Sequence, residues 1–453
     1  MKQGNKTEKI QFYQMFFRMY VVLVLQNVIS LSVNLADNIM LGAYSETALS
    51  GVAAVNQIQF IFQQLLTAIG EGTVILSSQY WGKGQTEPMK KIASAAMRLS
   101  LFFSIILFIL VSIFPEEVMG LFTSDAEIIH QGTEYLAMIR FTYVFFAVSM
   151  TLLAAMRSVE TVNIAFYLSV VTLLINCCIN YLLIYGKFGA PRLGVTGAAI
   201  GTLTARVVEC GAVIYYVWKK DTKLKIRLRD YLKTDRTLFG DYMKVTLPML
   251  VVQGLWGVNT ALQTAILGHM TAIAIAANSV ASTLFMVVKS TASGAASTAS
   301  VIIGKAIGMG DMDRVKAYSR RLQKMFLVIG ILSGIFLFFI RIPVLGLYDL
   351  SQETREMADT FLLILSVVCV TMSYQMPVNN GIIRGGGSAV FVVKMDLISI
   401  WLIVIPLSFF MAFVVKAAPA AVVCCLNADQ VFKCIPAFIK VNFGHWARKL
   451  TRG

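Results

Sequence analysis

Apolar residues in this chain come in blocks of about 20, the length at which an α-helix crosses the hydrocarbon core of a bilayer. Twelve blocks can be drawn, at residues 15–42, 48–80, 92–114, 130–157, 163–185, 194–218, 242–268, 272–304, 316–341, 356–383, 389–413 and 416–440. Lipid offers no partner to a backbone N–H or C=O, so each block must satisfy its own and is expected to be helical. Composition agrees. Of 453 residues, 57% are hydrophobic and 14% charged, whereas a soluble domain carries about 25% charged residues. The expected fold is an all-α polytopic membrane protein with twelve transmembrane helices.

The net charge of +15 would suit nucleic acid, but its placement points to lipid. Basic residues gather between particular blocks, as they do in cytoplasmic loops. Lys219, Lys220, Lys223, Lys225, Arg227, Arg229, Lys233, Arg236 and Lys244 follow the sixth block. Lys83, Lys90 and Lys91 follow the second, and Lys305, Arg314, Lys316, Arg320 and Arg321 the eighth. The alternate connections lack them: residues 114–134 hold five acids and no Lys or Arg. Both termini are therefore expected in the cytoplasm of a multi-pass cell-membrane protein. The polar stretch Met1–Lys9 and the long run after it do not read as a cleavable signal. The seven cysteines form no CxxC pair, and Cys177-Cys178 and Cys424-Cys425 read as apolar filler.

The sequence repeats itself. Trp81-Gly-Lys-Gly-Gln85 matches Ile307-Gly-Met-Gly-Asp311, Gly120-Leu-Phe122 matches Gly346-Leu-Tyr348, and Arg157-Ser-Val-Glu160 matches Arg384-Gly-Gly-Gly387, at separations of 226 or 227 residues. Half-chain repeats of this kind characterise transporters. Six helices per half give both halves one orientation, with a pseudo-two-fold axis along the membrane normal. The expected division is 1–218, a basic linker 219–241, and 242–453, in a V-shaped alternating-access arrangement. Gly82, Gly84, Gly308 and Gly310 are candidate helix stops, and Gly385–Gly387 is a candidate turn. None of these glycines belongs to a phosphate loop.

Asp37 ends the first block and is the only acid between Glu8 and Glu46. A carboxylate there either caps the helix at the interface or serves a cation. It lies five residues, or ~7.5 Å, before the outer helix end at Gly42. Asn176 and Asn180 are four apart on the fifth helix and share a face. Thr202 on the inward-running sixth helix lies roughly 12 Å below the outer surface. These four can share one layer, with oxygen ligands plausible for Na⁺ and a carboxylate sufficient for H⁺. Interhelical hydrogen bonding is the rival role for the two asparagines, and helix packing for Thr202. Arg206 and Glu209, three apart, are expected to pair. Glu71, between Gly70 and Gly72, and Lys289, mid-helix, are candidate cavity groups. Lys289 either binds an anionic substrate group, neutralises Glu71, or snorkels. Asp396 starts the eleventh helix near the cytoplasm. Asn34, Gln253, Asn259, Gln375 and Asn379 complete the candidate cavity. The 22 methionines and 29 phenylalanines suit a forgiving cavity only weakly, since most must face lipid or other helices.

Twelve helices in two repeats, Asp37-Asn-Ile-Met-Leu-Gly42, the Gly-Lys-Gly and Gly-Met-Gly-Asp turns and the paired Arg157 and Arg384 turns resemble the multidrug and toxic compound extrusion (MATE) family. The resemblance covers nearly the whole chain, including the bacterial-type tail Asn427-Ala-Asp-Gln-Val-Phe-Lys433 and Trp446-Ala-Arg-Lys-Leu-Thr-Arg452. It implies a secondary active exporter of organic, cationic amphipathic compounds in exchange for Na⁺ or H⁺. It implies no cofactor, no enzymatic activity and no nucleic acid; the expected partners are membrane lipid and small organic substrates, for a monomer. In one branch of the family an aspartate on helix 1, an Asn-x-x-x-Asp pair on helix 5 and a threonine on helix 6 fall on Asp37, Asn176, Asn180 and Thr202. Asn180 departs from that pattern and leaves Asp37 the layer's only acid. Another branch has acids on helices 7 and 10, where this chain offers Gln253, Asn259, Gln375, Asn379 and Asn380 instead. Cation coupling is therefore expected in the N-terminal half.

A lipid-linked oligosaccharide flippase of the wider superfamily is the first rival, and would call for more cavity cations than Lys289 and Arg206. A membrane-embedded enzyme is the second. Its histidines would be His130, His269 and His445, all near helix ends and without an HExxH motif. The orientation has a direct check: a fluorescent protein fused to the C-terminus should mature, and alkaline phosphatase fused there should be inactive. The reverse pattern would invert the topology.

Overall fold

A computed structural model describes residues 2–233, 235–268, 270–346, 348 and 350–452, with backbone alone at 2–7, 232, 257, 258, 261, 264, 265, 268, 272 and 275. His269 lies outside the described residues. The helices are α1 (Lys2–Tyr44), α2 (Glu46–Gly82), α3 (Thr86–Ile113), α4 (Pro115–Gly120), α5 (Ala126–Ile139), α6 (Thr142–Ser158), α7 (Asn163–Tyr185), α8 (Gly194–Tyr215) and α9 (Arg236–Gly268). There follow α10 (Ala272–Gly308), α11 (Met312–Leu345), α12 (Gln352–Met376), α13 (Ala389–Leu397), α14 (Ile405–Phe409), α15 (Pro419–Leu426), α16 (Ala428–Phe432) and α17 (Cys434–Phe443). Among the described residues there is no strand.

Nine helices among the described residues are long and apolar enough to span a membrane, or eleven if two bent pairs are each one span. The seventh expected span coincides with α9, whose side chains are described only in part. The bends have local causes. The fourth expected helix breaks by 54° between α5 and α6, where the Thr142 hydroxyl donates to the Ile139 carbonyl at 2.6 Å. The twelfth bends by 40° after α15, where the Asn427 side-chain amide donates to the Val423 carbonyl at 2.9 Å. In both, a side chain bonds to a helical carbonyl at the break; at Val423 it shares the carbonyl with the Asn427 backbone N–H. Pro377 has no N–H to continue α12, and the chain widens there into a π-helical turn, Pro377–Ile383.

By their contacts the described residues form two compact units, one of residues 25–77 and 85–246 and the other of 1–24, 78–84 and 247–453. In the first, α7 packs along α8, and α6 and α5 also lie on α8. Its basic segment is folded rather than free. Ser94 and Arg98 of α3 both donate to the Tyr231 carbonyl at 2.9 Å, and Lys91 pairs with Asp235 at 3.0 Å. The Leu238 N–H and Lys91 hold the Asp235 carboxyl below the usual carboxylate range. In the second unit, Phe12 and Phe16 of α1 pack with Ile302, Ile303 and Phe326, and Trp446 of the extended tail closes the same core.

The repeat is visible bond by bond. Gly84 N donates to Trp81 O at 3.0 Å, as Gly310 N does to Ile307 O at 3.0 Å. Thr161 N donates to Met156 O at 3.0 Å, as Ser388 N does to Ile383 O at 3.1 Å. Glu160 and Gly387, equivalent positions, both have positive φ, 59° and 92°.

The four candidate stop glycines divide into two roles. Gly84 and Gly310 have φ of 72° and 80° and open space around them, so they are the left-handed stops. Gly82 and Gly308 instead end α2 and α10 at a close crossing. A Cβ on Gly82 would collide with the Lys305 carbonyl, and one on Gly308 with the Gln79 carbonyl. Neither obstacle is a side chain that can move aside. Gly308→Ala should therefore destabilise the protein by about 1–3 kcal/mol. Thermal unfolding in detergent should show a lower Tm for Gly308→Ala than for Gly240→Ala, where nothing lies within 4 Å.

Candidate functional site

The N-terminal layer is built on a close pair of helices. Gly197 and Gly201, four apart on α8, lie against α7: a Cβ on Gly197 would strike the Leu183 backbone, and one on Gly201 the Asn180 side-chain oxygen. Small residues at this spacing let two helices approach within hydrogen-bonding reach. Asn176 and Asn180 occupy the facing side of α7 and are both buried. Asp37 of α1 is 9% exposed and Thr202 of α8 is 8% exposed.

All four are joined. Asn180 Nδ2 donates to Asp37 Oδ1 at 2.6 Å and to Asn176 Oδ1 at 3.3 Å. Asn176 Nδ2 donates to Thr202 Oγ1 at 3.1 Å. Asn180 Oδ1 is buried without a hydrogen-bond partner. The layer thus offers a carboxylate, two amide oxygens and a hydroxyl oxygen, a donor set of the kind that holds hard cations. Tyr135 of α5, also buried, sits beside Thr202 and in the field of Asp37. Nothing in its spacing sets it apart, because a tyrosine in an amphipathic helix is ordinarily packing. One turn along α8, Arg206 pairs with Glu209 at 2.7 Å, as its spacing predicts, and lies 4.4 Å over the Phe146 ring.

The other candidates scatter. Asn34 is exposed. Glu71 takes Arg157 as its partner at 3.0 Å within the same unit. Gln253 is partly buried, and Asn259 is buried and accepts from Gln263 at 3.3 Å. Lys289 lies with its ammonium 4.6 Å over the Trp256 ring. Gln375 and Asn379 are buried and joined, Asn379 Nδ2 donating to Gln375 Oε1 at 3.0 Å. The interiors of the seventh and tenth expected helices bring no carboxylate of their own, yet acids approach Gln375 from later in the chain. Gln375 Nε2 donates to Gln430 Oε1 at 2.7 Å, and Gln430 Nε2 to Asp429 Oδ2 at 2.8 Å. Lys433 then bridges Asp429 at 3.0 Å and Asp396 at 2.8 Å. Asp429 and Lys433 both lie in the tail motif Asn427–Lys433, which by itself does not mark them as an ion pair. Their i,i+4 spacing was the available signal. His130 and His445 are exposed.

A family model, MatE, matches residues 23–182 and again 248–410. The chain belongs to the MatE family, multidrug and toxic compound extrusion. The two matches mark the two repeats. Among its relatives, the probable multidrug resistance protein NorM of Thermotoga maritima is 24% identical over 94% of this chain and 92% of its own length. The probable multidrug resistance protein YoeA of Bacillus subtilis is 23% identical over 91% and 89%. The crystal structure of MATE in complex with MaL6 superimposes with a TM-score of 0.86 at 18% identity, covering 94% of this chain and 95% of that one. A MOP superfamily transporter from Pyrococcus furiosus gives the same score and identity over 94% of both chains. At such identities these structures establish the fold: a MatE-family multi-pass helical membrane protein.

Among the described residues Asn180 is the closest donor to Asp37, at 2.6 Å. Asn180→Ala should leave the buried carboxylate uncompensated and destabilise the protein by about 1–3 kcal/mol. A Tm in detergent that matches the native protein would show that Asp37 draws no stabilisation from Asn180.

Proposed function

We propose that this MatE protein is a secondary active exporter that exchanges Na⁺ or H⁺ for organic, cationic amphipathic compounds. The observation that carries the reading is the buried layer in which Asp37 is held by Asn180, with Asn176 and Thr202 behind it. A lone buried carboxylate in a membrane protein is retained for what it binds. The names of the relatives, probable multidrug resistance proteins, support the class of cargo.

Asp37 does the chemistry of coupling. Its carboxylate takes a proton directly, or shares Na⁺ with the side-chain oxygens of Asn176, Asn180 and Thr202. Asn180 fixes the carboxylate from one side and has its own oxygen free for a cation. With a single negative charge in the layer, a coupling cation and a cationic cargo compete for the same compensation, which is the condition for exchange. Glu71 and Arg206 are already paired, and their role in this reading is to hold the bundle. Lys289, Gln253, Asn259, Gln375 and Asn379, all in the second unit, remain the proposed contacts for cargo. The work needs no cofactor, and the chain acts as a monomer in the cell membrane with both termini in the cytoplasm.

Proteoliposomes test it with Na⁺ and pH gradients imposed separately. An inward gradient of the coupling cation should drive extrusion of an ethidium-like dye, and Asp37→Asn should abolish it. Extrusion that is independent of both gradients, and unchanged in Asp37→Asn, would rule out the proposal.

A further inference from the structure

One cavity of the second unit lies apart from the polar networks described above. It has a volume of about 330 Å³ and forms where the turn at Gly387, the start of α13, the end of α17 and the extended tail meet. Three of these segments each bring one cation to its lining: Lys394 from α13, Lys440 from α17 and Arg448 from the tail. Lys394 and Arg448 are exposed and Lys440 is half-buried, so an incoming anion can reach all three. No acid lines the cavity. Neither α17 nor residues 444–452 contain an Asp or Glu. The one acid of α13, Asp396, is taken by Lys433 at 2.8 Å. Among the described residues none of the three cations has a carboxylate partner.

Packing fixes where these cations stand. The Arg448 N–H donates to Gly386 O at 2.7 Å, and its carbonyl accepts from Gln79 Nε2 at 3.1 Å. The backbone that carries the guanidinium is therefore held at both ends. Lys440 Nζ lies 5.2 Å over the ring of Phe391, itself part of the lining. Lys394 follows Val390 and Phe391 by four and three residues on α13, and so shares their face. The start of α13 adds charge of the same sign. Its cap residue, Ser388, makes no side-chain bond to the helix, because its hydroxyl donates to Trp446 O at 2.8 Å. The positive end of the helix dipole thus meets the cavity without a capping oxygen. The repeat provides a control: the positions equivalent to Gly387 and Lys394 are Glu160 and Tyr167. The basic cavity is not inherited from the shared frame.

We propose that this cavity is a phosphate site whose occupant is the headgroup of an anionic phospholipid. Unpaired Lys and Arg beside an uncapped helix start are the chemistry of phosphate recognition. What adjoins the cavity decides the source of the phosphate. α13 opens a helical run, Ala389–Val414, long and apolar enough to cross a membrane. Val390 in the lining is exposed, and so are Ile439 and Phe443, on either side of Lys440 along α17. Inorganic phosphate leaves these side chains uncovered, whereas the acyl chains of a phospholipid cover them. Basic pockets between membrane-spanning helices bind phospholipid headgroups in this way. A zwitterionic headgroup brings no net charge to the three cations and is the poorer ligand. A lipid seated here joins α13, α17 and the tail, so it stabilises the fold whichever cargo is carried and stands apart from the exchange reading.

The test titrates the full-length protein in detergent with phosphatidylglycerol or phosphatidylcholine, read by native mass spectrometry and by Tm. The native protein should bind phosphatidylglycerol about tenfold more tightly than phosphatidylcholine, the worth of one charge-assisted hydrogen bond, and gain Tm with it. The triple variant Lys394→Gln/Lys440→Gln/Arg448→Gln should lose that preference. Lys316→Gln, which removes an exposed cation of α11 outside the cavity, should keep it. Val390→Glu sets an acid at the cavity with all three cations in place, and an acid suits the first turn of a helix. It should lose the preference while its lipid-free Tm stays native. The site is overturned if the native protein binds both lipids alike, or if Val390→Glu or a folded triple variant keeps the preference. Inorganic phosphate in large excess separates the two sources. If it raises the native Tm as far as phosphatidylglycerol does and displaces that lipid, the cavity takes a free anion and the lipid assignment falls.

Discussion

A polar group in lipid-embedded protein has only the protein itself to bond with, and that constraint orders both units of this structure. Asp37 is tolerated because Asn180 reaches it, and Asn180 reaches it because Gly201 leaves room for its side chain. Lys433 is tolerated because two carboxylates flank it. Arg157 has Glu71, and Arg206 has Glu209. Each satisfied charge fixes the rotation of the helix that bears it, so specificity of packing and placement of function come from the same contacts. Burial of apolar area between helices contributes little to that choice, since lipid is as apolar as leucine.

The repeat supplies the frame and the differences between its halves supply the function. Turn for turn, the hydrogen bonds around Trp81 and Ile307, or around Met156 and Ile383, are the same. Yet the position equivalent to Glu71 is Ser297, so the Arg157–Glu71 pair has no counterpart of its own kind in the second half. The N-terminal half keeps a single acid in an amide and hydroxyl layer. The C-terminal half keeps its acids at the base of a line of amides. One architecture thus carries two unlike polar interiors.

Helix number and register were legible in the sequence, because block length and the 226-residue offset are properties of the chain alone. So were Asp37, Asn176, Asn180 and Thr202 as one layer, since depth along a helix follows from counting residues, and so was the Arg206–Glu209 pair. The bends at Phe141 and Asn427 were not, because either block is apolar enough to pass as a straight helix. Tyr135 was hidden by its ordinary appearance in an amphipathic segment. The cluster around Asp429 was hidden for another reason: Gln430 meets Gln375 and Lys433 meets Asp396, each more than thirty residues away, and only folding brings them together. All four glycines after the second and eighth helices were legible as stops, but only the structure separates the left-handed pair, Gly84 and Gly310, from the pair at the close crossing, Gly82 and Gly308.

The crossing of α2 and α10 has a further meaning. Gly82 meets the carbonyl of Lys305, and Gly308 meets the carbonyl of Gln79, while Gln79 and Lys305 are themselves equivalent positions in the repeat. A contact in which residue i meets the copy of j, and the copy of i meets j, is isologous, the form that a two-fold homodimer takes. At this crossing the two halves of one chain meet as two identical subunits would. The patch around this crossing is complementary to its own copy, so the join of α2 to α10 is a two-fold interface written into a single chain.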